Sequence, residues 1–130
     1  MNDVARRNRA NKRAGAQWEA DLIAYFRVNG DPAEGLRKAG RDDEGDIGVQ
    51  PTGGTPDHLV FEAKNEKTWD IAGYVRQAET EAANYAKRRG LDPEHVSWAA
   101  VVKRRGHGAG KAYVITTLEH YMGYDIEEGE

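Results

Sequence analysis

The sequence predicts an α/β domain: a mixed central β-sheet of about four or five strands, flanked by helices. Three observations predict it. Residues 14–29 and 71–89 place apolar side chains at helical spacing, while 46–50, 58–64, 97–103 and 111–117 are short runs of strand length. The order is helix, two strands, helix, two strands, then a short helix, which is the order of an α/β fold. The second helix falls between the second and third strands, so those strands are expected to be parallel, joined by a right-handed crossover.

Taken in order, residues 1–13 lack apolar periodicity and are expected to form a mobile or partly helical arm. "AGAQWEADLIAYFRVN" (14–29) is an amphipathic helix that stops at Gly30, a C-cap residue. "GDPAEGLRKAGRDDEG" is punctuated by Pro and Gly and reads as a loop, with a short helical turn around residues 33–38. "DIGVQ" (46–50) and "HLVFEAK" (58–64) are two strands of a hairpin, joined through the turn cluster "PTGGTPD". Asp70 is placed to cap the next helix, which ends at Gly90; Ile71, Tyr74, Val75, Ala78, Ala82 and Tyr85 form its apolar stripe. Strands at 97–103 and 111–117 enclose a Gly-rich turn, and "TLEH" (117–120) opens a last short helix. With no internal repeat, the expected organisation is a basic arm (1–13), one domain (14–124) and an acidic tail (125–130).

Composition narrows the chemistry. Cysteine is absent, which excludes disulfides, a thiolate nucleophile and thiolate zinc sites. The four histidines are scattered without metal-ligand spacing. No apolar run approaches the roughly 18 residues of a membrane span, so a soluble, cytoplasmic protein is expected. The net charge of -3 conceals basic clusters at 6–13, 87–89 and 103–111. Such clusters in an acidic chain suit either a polyanion-binding face or ordinary solvated surface.

The stretch "HLVFEAKNEK" carries the candidate site. Side chains alternate along a strand, so Leu59, Phe61 and Ala63 take one face, and Val60, Glu62 and Lys64 the other. Alone, Glu62 and Lys64 could be a charge pair on a solvated edge strand. In the hairpin partner, Ile47 and Val49 take one face, so pairing the apolar faces brings Asp46 to the side of Glu62. Two carboxylates and a lysine then converge, an arrangement stabilised by a cation; with oxygen ligands only, that cation is expected to be Mg²⁺, or Mn²⁺ in its place. On the first helix Glu19 shares an arc with Leu22, Ile23 and Phe26 and faces inward. A carboxylate there needs compensation: a metal, a backbone amide or Lys64.

The ordered set of a helical Glu, "GDI" and "FEAK" resembles the PD-(D/E)xK nuclease superfamily. The wider pattern "AGAQWEADLIAYFRVNG…AGRDDEGDIGV…HLVFEAKNEK" resembles the archaeal-type Holliday junction resolvases and their phage-encoded relatives, over residues 14–86. Gly45 stands where the family name has Pro. A literal Pro-Asp pair exists at Pro56 and Asp57, but it lies on the same hairpin arm as Glu62, whereas the family's Asp lies on the adjoining strand, as Asp46 does. Some related nucleases carry Gln-x-x-x-Tyr on the following helix; here Gln77 is followed by Glu81, which leaves Gln77 open between DNA contact and plain surface.

The resemblance implies a restriction-endonuclease-like core and Mg²⁺-dependent phosphodiester hydrolysis. Asp46, Glu62, the backbone carbonyl of Ala63, and Glu19 directly or through water would hold the ion. Lys64 would orient the attacking water and stabilise charge on the phosphate. The implied partner is DNA, four-way junctions or other branched forms, cut by a homodimer with two sites. Candidate DNA contacts are Arg6, Arg7, Arg9, Lys12 and Arg13 in the arm, Lys38 and Arg41 before Asp46, Gln77, Lys87, Arg88 and Arg89 at the helix end, and Arg104, Arg105 and Lys111 in the last hairpin. A nicking or restriction-type nuclease of the same superfamily, and a non-catalytic DNA-binding module, remain the alternatives.

Overall fold

A computed structural model describes residues 3–36, 45–53 and 58–125. Among the described residues the helices and strands are α1 (Asp3–Val28), β1 (Ala33–Gly35), β2 (Ile47–Val49), β3 (His58–Lys64), α2 (Ile71–Arg89), β4 (Val96–Val102), β5 (Tyr113–Ile115) and α3 (Leu118–Met122). The strands form one mixed sheet in sequence order, β1-β2-β3-β4-β5. β3 and β4 are parallel, and the other three pairings are antiparallel. The expected α/β class and the parallel crossover through the second helix are what the chain adopts.

Each face of the sheet has its own helix. Trp18 and Leu22 of α1 pack on Ile47, Val49, Phe61, Ala99 and Val101. The Trp18 indole also donates to the Val101 carbonyl at 3.3 Å, and Phe26 stacks on Phe61 with 5.4 Å between ring centroids. The opposite face, from Val60 and Trp98, packs on Ala78, Ala82, Tyr85 and Ala86 of α2. Because β-strand side chains alternate, the face carrying Val60, Glu62 and Lys64 is the α2 face. α2 starts where Asp70 accepts from the Gly73 amide at 3.0 Å, and ends at Gly90 in the left-handed conformation, as its sequence predicts.

Three expectations are corrected. Residues 33–35 are a strand, not part of a helical turn: Ala33, Glu34 and Gly35 pair with Val49, Gly48 and Ile47. This short edge strand has no apolar alternation, so no periodicity announces it; its ladder, the buried Ala33 and the Arg27 guanidinium on the Ala33 carbonyl at 3.0 Å hold it. The first helix begins at Asp3 rather than at residue 14. Residues 3–13 are mostly polar and almost wholly exposed, and they extend α1 as a solvated first half. β5 is shorter than 111–117, because residues 109–111 form a 3-10 turn.

α3 closes the uncovered edge of β4. Before Ala100 that edge has no strand partner in β5. There Nε2 of His120 accepts from the Trp98 amide at 3.1 Å, and the two rings stack at 4.4 Å. A backbone amide can only donate, so Nε2 is the acceptor nitrogen. The imidazole proton therefore sits on Nδ1, 2.7 Å from the Asp125 carboxylate. No helix among the described residues is long and apolar enough to cross a membrane.

Candidate active site at the end of β3

The β2–β3 register pairs Ile47 with Phe61, and the Asp46 amide donates to the Phe61 carbonyl at 3.0 Å. Asp46, immediately before β2, thus lies across from the 61–63 segment that carries Glu62. The Asp46 carboxylate also accepts from the Ala63 amide at 2.7 Å through Oδ2, which ties it across the end of the hairpin. Both carboxylates are buried, with 5% of Asp46 and 4% of Glu62 exposed. Burial of one ionised carboxylate costs several kcal/mol unless it is paired.

Gly45 makes the approach possible. Its φ is +105°, and a Cβ there would lie 2.7 Å from Val60 Cγ1. Proline holds φ near about −65° and could not take this conformation. The path of this backbone into Asp46 therefore excludes proline at position 45.

Lys64 completes the group from the same face of β3. Its ammonium is 3.5 Å from Glu62 Oε1 and donates to Gln77 Oε1 at 2.8 Å. It also lies 5.3 Å from the centre of the Tyr74 ring. Burial, then the hydrogen bond and charge of Glu66, push the Tyr74 phenol above its ordinary range, so this ring stays neutral beside the ammonium. Gln77 is part of the cluster: its amide nitrogen donates to Glu62 Oε1 at 3.1 Å and to Glu81 Oε1 at 3.2 Å.

Glu81 is the residue that the sequence reading missed. It is 8% exposed, buried in the core stripe of α2 between Ala78 and Tyr85. Its position three after Ala78 and four before Tyr85 is the signal that could have found it, by the argument applied to Glu19. Glu19 itself is half-buried on α1, beside Trp18. α1 covers the Phe61 face of the sheet, whereas Glu62 and Lys64 point to α2. Among the described residues no group of three His, Cys, Asp or Glu side chains is arranged to hold a metal ion.

Beyond Lys64 the sheet end opens into a cleft of about 1020 Å³ between the first half of α1 and the β3–α2 connection. Asn8, Asn11 and Lys12 line one wall; Lys64, Asn65, Lys67 and Arg105 line the other side. Of the basic residues singled out in the sequence, Lys12 and Arg105 thus border the cleft. Arg6, Arg7, Arg9 and Arg13 are exposed on the same half of α1. Arg104 lies against the Tyr113 ring at 5.9 Å, and Lys111 is exposed in the 3-10 turn before β5. Lys87, Arg88 and Arg89 sit at the far end of α2, ten or more residues and about 15 Å along the helix from Gln77. Lys38, Arg41 and Asp57 lie outside the described residues. No family model, characterised protein or solved structure matches the chain.

Proposed function

We propose that this protein is a metal-dependent, structure-selective DNA endonuclease that resolves four-way junctions by symmetric nicking. The observation that carries the reading is that buried Asp46 and Glu62 lie at the same end of the β2–β3 hairpin, with Lys64, on the Glu62 face of β3, lining a basic cleft. The ordered helical Glu, strand Asp and strand Glu-x-Lys of the sequence support it.

The donor set suits Mg²⁺. That ion is commonly held by one or two carboxylates and keeps several waters, and Asp46, Glu62 and the Ala63 carbonyl are all hard oxygen donors. When bound, the ion would polarise a phosphate oxygen and lower the pKa of a water. The chain's own residues do the rest. The Ala63 amide holds the Asp46 carboxylate at the strand end. Lys64, positioned by Gln77, offers an ammonium to the phosphate and to the attacking water. Lys12, Lys67 and Arg105 contact phosphates, which fixes the duplex but reads no sequence. Symmetric nicks need two sites, which a homodimer supplies.

Incubation with linear duplex, single strand and a four-way junction, with and without Mg²⁺, tests the reading. A resolvase cuts the junction at paired positions on opposed strands, only with the metal. Cutting of all duplexes alike would favour a nicking or restriction-type nuclease, and tight binding with no cutting a DNA-binding module.

A further inference from the structure

The Gln77 amide has two possible orientations, and its neighbours select one. Its nitrogen faces two carboxylate oxygens, Glu62 Oε1 at 3.1 Å and Glu81 Oε1 at 3.2 Å, and its oxygen faces the Lys64 ammonium at 2.8 Å. The reverse orientation would set the amide oxygen against both carboxylates and the amide protons against the ammonium, losing all three hydrogen bonds. Glu81 is not needed to fill space. It stands in an apolar stripe, next to Ala78, Ala82 and Tyr85, where a leucine would pack. Its second oxygen, Oε2, is buried and has no hydrogen-bond partner among the described residues, and a Cβ on Gly45 would lie 3.8 Å from it. A buried carboxylate with one unsatisfied oxygen is costly to stability, and such a cost is a sign of function.

We infer that Glu81 is a positioning residue: by accepting from Gln77 it locks the side-chain amide that holds Glu62 and Lys64 in their working geometry. This rests on the nuclease reading for its consequence, but the lock itself is a property of the folded chain. It also accounts for a glutamate where the related helix pattern has a tyrosine. An acidic acceptor holds the amide nitrogen, and so turns the amide oxygen to Lys64.

Two variants and two readouts test it. Glu81→Leu removes the acceptor and suits the apolar surroundings, so the folded protein should be at least as resistant to denaturant as the parent. Its kcat on junction DNA with Mg²⁺ should nonetheless fall about 10- to 100-fold, the cost of misplacing reacting groups. Glu81→Gln keeps an acceptor oxygen and should retain most of the rate. The Gln77 side-chain amide signals in a ¹H–¹⁵N spectrum should shift and exchange faster in Glu81→Leu, and stay near the parent's in Glu81→Gln. Unchanged amide signals in Glu81→Leu would overturn the lock, and a Glu81→Gln variant as inactive as Glu62→Gln would make Glu81 a ligand instead. A parent protein that cuts no DNA would sink the nuclease reading alone, since the amide spectra still decide whether Glu81 holds Gln77.

Discussion

Asp46 reaches Glu62 because Gly45 lets the chain turn sharply into β2. At φ +105° any other residue is strained, by roughly 1–2 kcal/mol, and its Cβ would also meet Val60. Gly45→Ala should therefore lower the urea midpoint by more than that strain alone, and should depress cleavage of the fraction that remains folded. An alanine variant of unchanged midpoint would show that the backbone does not need this conformation. Strand alternation puts Glu62 and Lys64 on one face of β3 in the sequence, and the hairpin pairing brings Asp46 to their side. The sequence does not reveal Glu81 so readily. A glutamate among the alanines of α2 looks like surface until the stripe through Tyr74, Ala78 and Tyr85 is drawn.

Capping and periodicity make α2 readable to the residue at its N-cap, while two other elements are hidden. β1 is three residues with no alternation, and the first half of α1 buries nothing. Both are fixed by what adjoins them: β1 by the β2 ladder, the start of α1 by the packed half that continues it. α3 is a third case, readable from Thr117 as a cap but not in its purpose. His120→Ala would leave the Trp98 amide without its acceptor and remove a ring stack. The expected loss is about 1–3 kcal/mol in a denaturant titration, with no change in the metal requirement for cleavage; a loss under about 0.5 kcal/mol would mean the edge of β4 finds water instead.

Over the whole molecule, charge is arranged by place rather than by total. Lys12, Lys67 and Arg105 gather at the cleft beside Lys64, whereas Lys87, Arg88 and Arg89 lie at the other end of α2. Sequence alone weighs these clusters equally, since only the fold says which one adjoins the carboxylates. Changing Lys12, Lys67 and Arg105 to Gln should weaken binding to every DNA shape. It should also flatten the salt dependence by up to ~0.9 log units for each phosphate no longer neutralised. The same change at 87–89 should leave the slope near the parent's. Equal slopes in the first variant and the parent would move the DNA grip away from the cleft.

The central claim is that Asp46 and Glu62 together form the hydrolytic centre, and Asp46→Asn tests it most directly. The change keeps the volume and one acceptor for the Ala63 amide but removes the charge that would hold the cation. Single-turnover cleavage of a four-way junction, with saturating protein and Mg²⁺, should be abolished in a variant that still folds and still binds the junction. Substantial Mg²⁺-dependent cleavage by folded Asp46→Asn would contradict the account.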